Sequence, residues 1–207
     1  VADGVLPGRV WLYANYHCNL ACTYCLTESD PRHELPPEEQ WQAGVLGKSR
    51  RYSSDLRHGL ATTLALMGAY GDDTIVGARL TAREWAAWIV RLILDEANRD
   101  ESGRLWASLD DVIRLLAEAA PDEFLAAVRA ALAGDEPLLA KLFTDSKEQS
   151  ALFDGNSHSG MLWALEAVSW SPDHFGAVVD LLARWAEVDP GGRYANRPTA
   201  TLVDFYR

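Results

Sequence analysis

From Ser53 to the C-terminus the apolar positions recur at spacings of three and four, the period that places them on one side of an α-helix. Leu56, Leu60, Leu64 and Met67 form the first such stripe, which closes at Gly68 and Gly71. Thr81 followed three residues later by Glu84 predicts a capping box. The helix it opens carries Trp85, Trp88, Ile89 and Leu92 at i, i+3, i+4 and i+7. Ser108 is expected to cap a helix presenting Leu109, Val112, Ile113 and Leu116, and Pro121 punctuates it. The next helix runs to Gly134, and a short one follows Pro137. Beyond the turn residues Asp154-Gly155-Asn156-Ser157, a helix carries Met161, Leu165 and Val168. Ser171-Pro172 then sets a cap and a first-turn proline ahead of Phe175, Val178, Val179, Leu182 and Trp185. Upstream the pattern differs: Arg9-Val10-Trp11-Leu12-Tyr13-Ala14 reads as a short buried strand, and no comparable run follows residue 50.

Two of the helix junctions repeat. Pro121-Asp122-Glu123-Phe124-Leu125-Ala126-Ala127-Val128 matches Pro172-Asp173-His174-Phe175-Gly176-Ala177-Val178-Val179 at Pro, Asp, Phe, Ala and Val, 51 residues apart. Helix pairs recurring at such a period bury their apolar faces by stacking on neighbours, as in α-solenoids of the HEAT or armadillo type. The fold class expected is mainly α: antiparallel helical hairpins, solenoid-like, preceded by a short N-terminal strand and a cysteine loop. Residues 1–35 form the cysteine segment, 36–52 a proline-bearing linker with a short helix, and 53–207 the repeat-like domain. The stretch from Ser159 to Pro198 also resembles helical regions of large, uncharacterised bacterial proteins.

Composition narrows the partners. Lys and Arg number 19 against 30 Asp and Glu, a formal charge of −11 with a pI near 4.8. Nucleic acids and anionic membranes need a positive field, so neither is an expected partner. No run approaches the roughly 18 apolar residues that span a bilayer, and the N-terminus lacks a signal-peptide pattern, so a soluble, cytoplasmic protein is expected. With 48% hydrophobic residues there is enough apolar content for a substantial core. The partner that remains is another protein, met through the helical domain.

All three cysteines fall in one eight-residue loop, Cys18-Asn19-Leu20-Ala21-Cys22-Thr23-Tyr24-Cys25. An odd number so closely spaced makes a poor disulfide framework. Three thiolates on a short loop can instead wrap a soft metal centre from one side, leaving a position to be filled from elsewhere. His17 or His33 would complete a Cys3His zinc site. An iron–sulfur cluster and three free buried thiols are the other readings of the same residues.

The C-x3-C-x2-C spacing, the aromatic Tyr24 before the last cysteine and the strand ahead of the loop resemble the radical S-adenosylmethionine enzymes over about residues 10–41. The resemblance implies a [4Fe-4S] cluster held by Cys18, Cys22 and Cys25, with S-adenosylmethionine on the fourth iron and Tyr24 beside its adenine. It implies reductive cleavage of S-adenosylmethionine on an unknown substrate, if the protein is an enzyme. Past residue 50 the chain lacks the alternating strand and helix pattern of a barrel and a Gly-Gly-Glu-type cofactor segment, so the implied barrel is incomplete. The alternative from another class is a non-enzymatic helical-repeat scaffold or interaction domain, a piece of a larger bacterial protein.

The remaining chemistry-bearing residues have structural explanations. Asp154, Ser157, His158 and Ser159 invite a hydrolase reading, yet no nucleophile-elbow pattern surrounds either serine, and a turn and cap account for them. His58 is expected as a partly buried structural imidazole. The pairs Glu38-Glu39, Asp72-Asp73 and Asp110-Asp111 fall at helix ends or turns, where acidic residues complement the helix dipole. Gly191-Gly192-Arg193 reads as a turn after a helix. Trp85, Trp88 and Trp185, at helical spacing, are expected in the core.

Overall fold

A computed structural model describes residues 54–72, 79–143, 158–192 and 196–205. The N-terminal strand, the linker, the cysteine loop with Cys18, Cys22, Cys25 and Tyr24, and the turn at 154–157 lie outside the described residues. The chain divides into two units, Val1–Gly59 and Leu60–Arg207, and the second contains nearly everything described.

The fold is mainly α. Among the described residues there are eight α-helices and one 3-10 helix, without a strand: α1 (Ser54–Tyr70), α2 (Ala82–Arg99), α3 (Arg104–Ser108), α4 (Ile113–Ala119), α5 (Pro121–Ala131), the 3-10 helix (Leu138–Leu142), α6 (Ser159–Ser169), α7 (Pro172–Glu187) and α8 (Pro198–Phe205). No helix among them is long and apolar enough to cross a membrane.

The starts of α2, α5 and α7 follow local chemistry. Thr81 and Glu84 close the capping box in both directions: the Glu84 amide donates to the Thr81 hydroxyl (3.2 Å), and the Thr81 amide donates to the Glu84 carboxylate (2.7 Å). Two otherwise orphaned donors are satisfied by two side chains. Thr81→Ala is therefore expected to cost about 1 kcal/mol, read as a lower urea midpoint with unchanged slope. Pro121 and Pro172 each occupy the first turn of their helix, where a missing N–H costs nothing.

The two proline-started helices are the second halves of two hairpins, α4–α5 and α6–α7. α4 lies against α6, α5 touches α7, and α2 packs on α5 and α4 from one side while α8 packs on α7 from the other. The repeated junction is bridged directly, as His174 Nε2 donates to Asp122 Oδ1 at 3.1 Å. Each hairpin thus covers a face of the next. Asn98 ties α2 into this stack by donating to the Ala127 carbonyl and accepting from the buried Trp106 indole.

Close packing selects small residues at two crossings. A Cβ on Gly68 of α1 would sit 2.0 Å from the Ala119 carbonyl oxygen at the end of α4. A Cβ on Gly160 of α6 would meet the Asp110 backbone oxygen at 2.6 Å. Backbone cannot swing aside as a side chain can, so both positions exclude a methyl group.

Several buried faces differ from the pattern read from sequence. α2 buries Ala86, Val90, Leu94 and Ala97, while Trp88 and Leu92 are 41% and 47% exposed. α1 buries Ala61, Leu64 and Gly68, and Leu60 and His58 face solvent. Each buried face mixes small residues with Val90, Leu94 or Leu64, and bulkier Trp88, Leu92 and Leu60 lie outside it. Ser108 ends α3 instead of opening a helix, its hydroxyl donating to the Leu105 carbonyl (2.7 Å), and α4 starts five residues later. Phe175 lies at the edge of α7 against Phe205 of α8, and Leu181 takes the central place with Val178, Leu182 and Trp185.

Candidate functional site

The helix α6, Ser-Gly-Met-Leu-Trp-Ala-Leu-Glu-Ala-Val-Ser, is apolar nearly all round. Met161, Leu162, Ala164, Leu165 and Val168 enter the core, as expected for Met161, Leu165 and Val168. The opposite side carries Trp163 and, just past the end of the helix, Trp170, which are 57% and 88% exposed. A spacing of seven residues puts the two tryptophan positions on one face, separated along the axis by about 10 Å. Leaving two tryptophans in water forgoes the burial that normally places them inside.

Between them lies a groove of about 550 Å³ shared with α4 and lined by Arg114, Glu118, Trp163, Glu166, Ala167 and Trp170. Its two carboxylates are held in place. Glu118 accepts from Arg114 Nε one helical turn away (3.1 Å). Glu166 accepts from the buried Thr201 hydroxyl of α8 (3.2 Å). Aromatic faces beside oriented carboxylates are the chemistry of a site for a cation or a positively charged side chain.

A second polar grouping sits at the opposite end of α6 and is buried. His158 donates from Nε2 to the Asn196 carbonyl (2.9 Å), since a carbonyl can only accept. The Asn196 side chain donates to Ser159 Oγ (2.7 Å). Arg197 donates to Asp189 Oδ1 (2.7 Å), with both side chains about nine-tenths buried, and the same oxygen accepts from the Gly191 amide. The Arg197 guanidinium lies 5.2 Å over the Phe143 ring, which also stacks near His158 (5.0 Å) and Trp185 (5.4 Å). This arrangement joins the 3-10 helix, α6, α7 and α8. The Ser159 hydroxyl faces an amide, not the His158 imidazole, so the pair lacks the hydrogen bond that would activate a nucleophile.

The N-terminus of α6 presses on Asp110, whose Oδ1 accepts the Gly160 amide at 2.9 Å. Although the residue as a whole is exposed, desolvation beneath α6 raises the carboxyl pKa above its ordinary value; the nearby Asp111 adds to this, and the Gly160 amide and His158 oppose it. A carboxyl that holds its proton more tightly when folded costs stability above its folded pKa and ceases to do so once pH falls below the unfolded value. Asp110→Asn keeps the acceptor and removes the charge, so it is expected to raise the thermal midpoint at neutral pH. The gain should vanish below about pH 3, where the wild-type carboxyl is protonated in both states.

The site residues expected from sequence are thus distributed unevenly. Of the buried tryptophans expected, Trp185 is fully enclosed, Trp85 is half-buried and Trp88 is exposed. Trp163 and Trp170 were not singled out by the sequence pattern, yet their seven-residue spacing with Glu166 between them is the signal that marks the groove. No group of three or more His, Cys, Asp or Glu suited to a metal occurs among the described residues. Comparison with known proteins finds no family model matching the chain, and no match among curated proteins or solved structures.

Proposed function

We propose that the helical unit is a non-enzymatic, repeat-like interaction domain that recognises a polypeptide across the α4–α6 groove. The observation that supports it is the pair Trp163 and Trp170, exposed on one face of a helix whose other side is core. Stacked hairpins display such continuous surfaces, and aromatic residues anchor most binding energy at interfaces. A random twelve-residue peptide library displayed on phage tests this, selected against the full chain and against the Trp163→Ala/Trp170→Ala double variant. Peptides enriched only on the wild type support the domain reading; identical enrichment on both overturns it.

A second reading concerns the N-terminal segment. Three soft thiolates in C-x3-C-x2-C spacing suit a [4Fe-4S] cluster with Cys18, Cys22 and Cys25 as ligands, and the resemblance to radical S-adenosylmethionine enzymes would put Tyr24 beside that cofactor. Bound there, the cluster would supply an electron for reductive cleavage of that cofactor. Protein reconstituted without oxygen should contain about four irons and four sulfides per chain, lost in Cys22→Ala. Zinc in place of iron would favour the Cys3His site, and metal-free protein would remove both. The two readings are compatible, since a cofactor-bearing segment and a docking domain can share one chain.

A further inference from the structure

We propose that the α4–α6 groove takes an arginine-bearing, extended segment of the partner; this rests on the reading of the groove as an interaction surface and specifies its ligand. Trp is the strongest cation–π acceptor among side chains, and a guanidinium stacks flat on an indole while its edge forks onto a carboxylate. The groove offers both partners together, because Glu166 lies three residues after Trp163 and four before Trp170, between the rings on the same face. Thr201 holds the Glu166 carboxylate in position before any ligand arrives. On the α4 side the lining charges are Arg114 and Glu118, already neutralised as an i,i+4 pair. Glu166 therefore leaves the groove with one net negative charge, within a chain carrying −11. Both features attract a cation and repel an acidic segment.

Spacing favours two arginines over one. The two tryptophan positions stand about 10 Å apart along the axis of α6. In a polyproline-II segment, residues i and i+3 share a face and lie about 9 Å apart, so an Arg-x-x-Arg segment can address both rings at once. The same rings would hold a single lysine less well, since an ammonium cannot stack and fork together.

The test is the anisotropy of a fluorescein-labelled eight-residue peptide with two arginines three apart, against the same peptide with both replaced by glutamine. The full chain is expected to bind the arginine peptide at least tenfold more tightly. Trp163→Ala and Trp170→Ala should each weaken it about fivefold. Glu166→Gln should weaken it about threefold and flatten its dependence on salt. Both indoles are exposed, and glutamine retains the oxygen facing Thr201, so circular dichroism should show each variant folded. Equal binding of the glutamine peptide, no effect of either tryptophan, or no binding of the arginine peptide overturns the inference. Should the phage selection yield Trp-dependent peptides free of arginine, only the ligand class fails and the interaction domain stands. A wild-type dimer in sedimentation that dissociates in Trp170→Ala would make the occupant a second copy of the chain, and overturns the inference as well.

Discussion

Trp185→Ala is expected to lower folding stability by about 4 kcal/mol, the upper range for a large aromatic removed from a core. Trp185 is completely enclosed, its ring centroid lies 5.4 Å from that of Phe143, and its indole donates to the Leu139 carbonyl at 3.3 Å. Truncation would open a cavity where the 3-10 helix meets α7 and remove a hydrogen bond to a buried carbonyl, so transfer, cavity and hydrogen-bond losses coincide. Against a typical total of 5–15 kcal/mol, a loss of about 4 is a quarter or more of the whole. Trp185→Phe keeps most of the ring and loses the hydrogen bond, and should cost about 1–2 kcal/mol, which keeps the comparison measurable if the alanine variant does not fold. The control is Trp163→Ala, more than half exposed, expected within about 0.5 kcal/mol of wild type. Urea denaturation followed by far-ultraviolet circular dichroism reads all three. Equal losses for Trp185→Ala and Trp163→Ala would contradict the placement of the core.

Arg197→Met is the second large effect, about 3 kcal/mol, because it strands the Asp189 carboxylate with one backbone donor. The pair is 2.7 Å apart and about nine-tenths buried on both sides, so solvent cannot replace the guanidinium. The guanidinium also covers the Phe143 ring, a contact that methionine partly preserves, which isolates the charge from the packing. In the Arg197→Met/Asp189→Asn double variant much of the loss should return at neutral pH. No recovery would mean that the arginine acts through packing alone.

The helices were legible where termini are chemically marked. The Thr81–Glu84 box and the prolines at 121 and 172 specify backbone geometry locally, and the structure places helix starts there. Faces were less legible than helices. In α2 the row Trp85, Trp88, Ile89 and Leu92 competes with Ala86, Val90, Leu94 and Ala97, and both have helical period. Transfer free energy favours the first row, yet the second is buried, because which face meets α4 and α5 is set by the neighbouring helices and not by α2 alone. The α4–α6 groove was illegible for a related reason: tryptophan is normally core, and its exposure at 163 and 170 depends on which side of α6 the second hairpin occupies. The buried join of His158, Asn196, Arg197 and Asp189 links residues up to 39 apart in sequence, beyond any local spacing rule. Ser108 shows the reverse error, a capping residue type used at the end of a short helix because the turn at 109–112 intervenes.

The stacking order of the second unit bears on how it would yield to force. α2 meets α4 and α5, α4 and α5 meet α6 and α7, and α7 meets α8, so each hairpin is gripped chiefly by its immediate neighbours in the chain. A molecule held by its ends in an optical trap would then shorten its folded length in steps, with α8 peeling from α7 before the α4–α6 contact gives way. Such a spring extends by whole hairpins, and the tension at which each one lets go measures one interface at a time.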